Sequence, residues 1–211
     1  NNSNNNVTLD EGDRHLKLPK VGIVRVRQHK RIPEDWKLKS VTIEHCKNGE
    51  YTATILFEYE TQALEPVRPV HIVGLDYSSH GLYVSSDGER ADYSRFYRRM
   101  EPRLMREQRR LSHMVKGSGN WVKQKRRIAK LAAKVRNQRA DFLHKTANRL
   151  AARYDCVGVE DLDMKDMSQS LALGKSTMDN GYGMFRTMLA YKLERQGKQL
   201  VTVDRFYPVS Y

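Results

Sequence analysis

Asp76 follows the apolar run Val70-His71-Ile72-Val73-Gly74-Leu75, and Glu160 follows Cys156-Val157-Gly158-Val159. A carboxylate at the C-terminal end of a buried strand is held in one place, and two of them on neighbouring strands can share divalent cations. Hard oxygen donors so placed suit Mg²⁺ or Mn²⁺ and the hydrolysis of a phosphodiester. Two facing carboxylates repel and desolvate each other, and a cation between them is the natural resolution. Structural roles also fit these residues: Asp76 could end its strand in an Asx-type turn, and Glu160 could cap the loop that starts at Asp161. What favours the chemical alternative is the segment that separates them.

The chain of 211 residues has a formal charge of +13, and the charge is lopsided. From Arg95 to Arg153 stand nineteen Lys and Arg against only Glu101, Glu107 and Asp141, while the rest of the chain is slightly acidic. A localised basic stripe is the footprint of a phosphate-backbone binder, because each neutralised phosphate releases condensed counterions. Arg109, Arg110, Lys125, Arg126, Arg127, Arg136 and Arg139 cluster there and are the expected nucleic-acid contacts. Cys46 and Cys156 are far apart, with no CxxC pair, which points to two reduced structural thiols and to no zinc site within these residues. No stretch approaches the roughly 18 apolar residues of a membrane span, and no signal peptide opens the sequence, so a soluble cytosolic protein is expected.

The elements that must position the carboxylates follow from pattern. Residues 1–15 read as a mobile polar entry. From residue 16 to about 68, short alternating runs around Val21–Ile23, Val41–Ile43 and Tyr51–Glu60 predict a small antiparallel β module. Lys47-Asn48-Gly49-Glu50 is its hairpin turn, because Asn-Gly tolerates the positive φ angles required. Its basic residues, among them Arg25, Arg27, Lys37 and Lys39, fit an oligonucleotide surface of barrel type or the soluble edges of an ordinary barrel equally well. From residue 69 onward the pattern predicts a strand Val70–Leu75, a break at Asp76–His80, a strand over Gly81–Ser85 and a short return near Arg90–Tyr93. A helical hairpin over 94–154 follows, with Ser94 as the first cap, then a strand Cys156–Glu160, a helix from about Asp179 to Gln196 and a strand Gln199–Asp204. Strands, helices, strand, helix, strand is the RNase H-like succession, with its last strands parallel. Only Asp76 and Glu160 then fall at the ends of adjacent central strands. Asp161 and Asp163 lie close enough in sequence to assist, whereas His80, His113, His144, Ser78 and Ser79 show no triad logic.

Four strings in order, VGLDYSSHGLYVSSDGE (73–89), the basic stretch 104–155 containing NQRADFLHK, VGVEDLDMKDM (157–167) and VTVDRFYPVS (201–210), resemble the TnpB family. These are proteins of small bacterial insertion sequences, related to type V CRISPR effectors, and the likeness spans residues 16–211. It implies an RNA-guided DNA endonuclease of a mobile element, acting in the bacterial cytosol with a guide RNA and a target DNA as partners and no small-molecule substrate. The fold class it implies is mixed α+β and α/β. A β-barrel-like wedge module over 16–68 precedes a RuvC domain over 69–211, with the basic hairpin 94–154 inserted. Asp76 matches the first catalytic and metal-binding carboxylate and Glu160 the second, with Mg²⁺ or Mn²⁺ as cofactor. Family members carry further residues before the wedge strands, and beyond the DRFYP string a zinc ribbon and a third catalytic Asp, so the chain is expected to be incomplete at both ends. A nuclease-deficient guided DNA-binding protein, repressor-like, and a DNA transposase or integrase on the same scaffold are the alternatives. Replacing Arg109, Arg110, Arg126 and Arg127 together by Glu is expected to weaken RNA and DNA binding and to flatten the dependence of log K on log salt. Titrations at several salt concentrations check this, and an unchanged slope would remove the basic hairpin from the interface.

Overall fold

The computed structural model describes residues 6–10, 12, 14–28, 31–60, 64–162, 179 and 181–203. The chain divides into two compact units, residues 1–63 and 64–211. In the first, β1 (Thr8–Leu9), β2 (His15–Leu18) and β3 (Gly22–Arg25) form an antiparallel sheet in that order. Regular structure thus begins inside the segment expected to be a mobile entry. Asp10 is the reason: its carboxylate accepts from the Arg14 and His15 backbone N–H groups and meets His15 Nδ1 at 2.7 Å. That closed loop sets Leu9 opposite the fully buried Leu16.

A separate ribbon pairs β4 (Lys37–His45) with β5 (Tyr51–Glu58). Gly49 turns its corner at φ +87°, as Asn-Gly requires, and Trp36 stacks on Tyr59 at 4.3 Å near the other end. Among the described residues no barrel closes, which corrects the expected barrel-like module. The physical reason is that, among the described residues, β3 pairs only with β2 and β4 only with β5, leaving two small open sheets.

The second unit is built on a four-stranded sheet of β6 (Ile72–Tyr77), β7 (Tyr83–Ser85), β8 (Cys156–Glu160) and β9 (Gln199–Val203) in the order β7-β6-β8-β9. β7 runs antiparallel to β6, while β6, β8 and β9 are parallel. Three helices accompany it among the described residues: α1 (Phe96–Ser112), α2 (Gly119–Arg153) and α3 (Tyr182–Glu194). The β6 strand does not stop at Leu75 as the pattern suggests. It continues through Asp76 to Tyr77, because β7 offers Val84 and Tyr83 as ladder partners for those two residues.

One face of this sheet is dry. Val73 and Leu75 of β6 and Val157 and Val159 of β8 meet Leu143, Ala147, Leu150 and Ala151 of α2 and Tyr182, Phe185, Leu189 and Leu193 of α3. Each fully buried leucine there contributes about 2 kcal/mol by removal of apolar surface from water. Register is fixed at the strand entries by Asp155. Its carboxylate accepts from the backbone N–H of Val70 at 3.2 Å and of His71 at 3.0 Å, and its own N–H donates to the His71 carbonyl at 2.8 Å. Its carbonyl accepts from Gln199 at 3.0 Å, so a single residue ties the starts of β6, β8 and β9. Those backbone donors, foremost His71, hold the Asp155 carboxyl below its ordinary range. Gly197 ends the turn after α3 at φ +69°, where a Cβ would stand 2.7 Å from the Glu65 carbonyl.

The hairpin of α1 and α2 is held by Leu104, Leu131 and Val135 and by a buried polar pair. Gln124 donates to both the Glu107 carbonyl and its Oε2. Ser118 caps α2 by accepting from Trp121 N–H, but Ser94 does not cap α1. Arg95 stands there instead at φ 46°, with no side-chain cap of its own. The cap comes from 81 and 82 residues away: the buried Asp179 carboxylate accepts from the N–H groups of Arg98 and Tyr97, and also from the Tyr93 hydroxyl. No helix of the described residues is long and apolar enough to cross a membrane. Asp179→Ala removes this cap from the part-buried N–H groups of Tyr97 and Arg98 while the Tyr93 hydroxyl keeps the Asp179 carbonyl, so unfolding stability should fall by about 1–2 kcal/mol, with Asp179→Asn costing less because it keeps an acceptor. Urea denaturation followed by circular dichroism measures the difference.

Candidate nuclease site and basic hairpin

Leu75 lies opposite Val159 in the parallel ladder between β6 and β8, and one step further along both strands come Asp76 and Glu160. Period-two alternation sends Ile72, Gly74 and Asp76 to the face away from the α2–α3 core, together with Gly158 and Glu160. Asp76 is exposed and Glu160 half-buried. The two carboxylates named from sequence are therefore neighbours on one face and at one end of the sheet.

The charges of both reach Tyr182, at the start of α3 and fully buried in the core. Its ring meets the edge of Tyr77 at 4.9 Å between centroids. Burial is the main cause that pushes the Tyr182 phenol up to about 12. Arg186 pulls it the other way, and the charges of Asp76 and then Glu160 push it further up. One phenol thus registers both carboxylates and one guanidinium. Arg186, one turn along α3, is mostly covered and pairs at 3.5 Å with the exposed Asp161. Neither Tyr182 nor Arg186 is among the site residues the sequence pattern points to. A signal existed, since spacing i, i+4 puts both on one face of the helix that follows the Glu160 strand.

Among the described residues no group of three or more His, Cys, Asp and Glu side chains comes together to hold a metal. The donor set is a pair of carboxylates, hard oxygens that suit Mg²⁺ or Mn²⁺. Asp163 and the DRFYP string that begins at Asp204 lie outside the described residues.

The seven basic residues named from sequence divide into two groups. Arg109, Arg126 and Arg136 are exposed on the hairpin. Arg110 and Arg127 reach toward the buried Glu107 Oε1, at 3.7 and 3.5 Å, from opposite helices. Lys125 lies over the Trp121 ring at 4.5 Å, and the half-buried Arg139 donates to the Asp179 carbonyl at 3.3 Å. By composition Glu107 is one of three acids among the nineteen cations of this segment. Its place three residues after Leu104 and four before Leu111 puts it on the seam, where Gln124 and the two arginines hold its carboxyl below the ordinary range.

The tyrosine carries a pH signature. Its folded pKa exceeds its unfolded value of 10, so the folded state binds the extra proton, and stability falls as pH rises from 10 toward about 12. Tyr182→Phe should make the alkaline limb of a stability profile shallower, measured as the urea midpoint at successive pH values.

Comparison with known proteins gives three likenesses. A family model, OrfB_IS605, described as "Probable transposase", matches residues 54–171. The chain is 32% identical over 217 residues to the "Putative RNA-guided DNA endonuclease InsQ" of Escherichia coli (strain K12), covering 95% of this chain and 53% of that protein. It is 31% identical over 185 residues to a "Putative RNA-guided DNA endonuclease" of Streptomyces pristinaespiralis, covering 88% and 46%. The chain thus spans about half the length of these curated relatives. In fold it is similar to a chain of the "Cryo-EM structure of the Cas12f1-sgRNA-target DNA complex", with a TM-score of 0.53, 16% identity, and coverage of 81% of this chain and 36% of that one.

Proposed function

Because the chain belongs to the OrfB_IS605 family of TnpB proteins, we propose that it carries the wedge and the larger part of the RuvC nuclease domain of an RNA-guided DNA endonuclease. In this reading residues 16–68 are the wedge module and 69–211 an RNase H-like domain with the basic hairpin inserted. The observation that carries it is the adjacency of Asp76 and Glu160, one step past Leu75 and Val159 on parallel strands. The relatives' names and the neighbouring complex with guide RNA and target DNA support the choice of partners.

The roles follow from position. Asp76 and Glu160 hold Mg²⁺ or Mn²⁺ at the strand ends. When bound, the ions supply Lewis acidity for phosphodiester hydrolysis. Tyr182, neutral at physiological pH, adds no third negative charge to the field at the strand ends. Arg109, Arg126 and Arg136 meet phosphates, while Arg110 and Arg127 are presented by Glu107. Base pairing by the guide selects the sequence, and the protein holds backbone and shape.

Asp76→Ala in the full-length protein should abolish target cleavage while leaving guide-RNA affinity within about twofold, because uniform phosphate contacts lie on the hairpin. Cleavage assays and filter binding on the same preparation decide it. Robust cleavage by that variant removes Asp76 from the site. Guide-dependent binding without cleavage by the unmodified full-length protein would instead favour the repressor-like alternative.

A further inference from the structure

We propose that the first unit holds a pocket, made by Arg14, Arg25 and Arg27, for the terminal phosphate of a nucleic-acid strand and its attached nucleotide. A cavity of about 470 Å³ is lined by Arg14, Arg25, Val26, Arg27 and Gln28. The ladder explains the convergence. His15 opposes Arg25, and the Val26 N–H donates to the Arg14 carbonyl at 2.8 Å, so pairing continues past the end of β3 and brings the three arginines to one sheet end.

All three are exposed, and among the described residues no carboxylate pairs with any of them. Asp10 is close in sequence, but its carboxylate is taken up by the Arg14 and His15 N–H groups and the His15 ring. Three guanidiniums around one concavity repel one another, and an external anion relieves them. A phosphomonoester carries about −1.5 to −2 charges at pH 7 and three terminal oxygens. These match three forked donors, whereas a diester within a strand offers one charge and two free oxygens. The cavity is larger than a phosphate needs, and Val26 gives an apolar wall to the nucleoside. The inference stands on the first unit's geometry and is independent of whether the second unit cuts DNA.

The test measures binding of the whole chain, by fluorescence anisotropy at one salt concentration, to one short RNA sequence in three forms: 5′-phosphorylated, 3′-phosphorylated, and hydroxyl at both ends. One phosphorylated form should bind about tenfold more tightly than the hydroxyl form, the scale of one charge-assisted forked contact. The double variant Arg25→Ala/Arg27→Ala should bind all three alike, and Arg27→Ala alone, which lies beyond β3, should lose most of the preference if the double variant misfolds. Arg109→Glu/Arg110→Glu should weaken all three forms together and keep their ratio. Equal affinity of the three forms for the unmodified chain overturns the proposal. A preference that survives in a folded Arg27→Ala variant overturns it as well.

Discussion

The parallel register between β6 and β8 is the constraint on which the rest depends. A one-residue slip would turn Asp76 toward the core and Leu75 toward the open face, so the position of the acid and the dryness of the core are a single choice. Asp155 makes that choice at the strand entries, well away from the acids. It holds the N–H groups of Val70 and His71 with its side chain, the His71 carbonyl with its own N–H, and Gln199 with its carbonyl. Hydrogen bonding at one end of the sheet thus decides which side chains meet at the other.

Charge is the second organising pressure. Nineteen cations between Arg95 and Arg153 would repel one another in a helical hairpin. The chain answers with a few placed acids. Glu107 lies inside the hairpin under Arg110 and Arg127. Glu89 takes Arg149 and Arg153 at 3.0 and 3.2 Å beside β7. Asp179 caps α1 and engages Arg139 through its carbonyl. These pairs sit where helices meet other elements, and they leave Arg109, Arg126 and Arg136 outward. The partly exposed pairs of Glu89 contribute little stability singly. The effect of the placed acids is to decide which cations face solvent.

Much of this was legible in the sequence, and the remainder was hidden for identifiable reasons. Apolar runs and the Asn48-Gly49 turn marked the strands, and helical spacing marked α1 and α2, because these depend on neighbours in the chain. The adjacency of Asp76 and Glu160 could be anticipated from succession alone, since parallel strands joined by helices leave few arrangements. Asp179 could not be read as the cap of α1, because the contacts span 81 and 82 residues and replace a local Ser94 cap that looked adequate. The extension of β6 through Asp76 depended on β7 offering partners. The open first unit, in place of a barrel, turned on which strands pair, a property that alternation does not encode. Glu107 was readable from the seam, but the abundance of charge around it masked its position.

α2 has a mechanical character that its sequence makes plain. Its 35 residues contain no proline and no glycine after the first, so it is a continuous rod of about 50 Å. Its partner α1 carries Pro102 in its interior and is the member of the pair with a place to bend. One end of the rod is bedded in the sheet core through Leu143, Ala147, Leu150 and Ala151, and the last turn runs directly into Asp155. A rod without a hinge does not absorb displacement along its length. Its basic end and the residue that aligns the three parallel strands are therefore joined by one unbroken helical run.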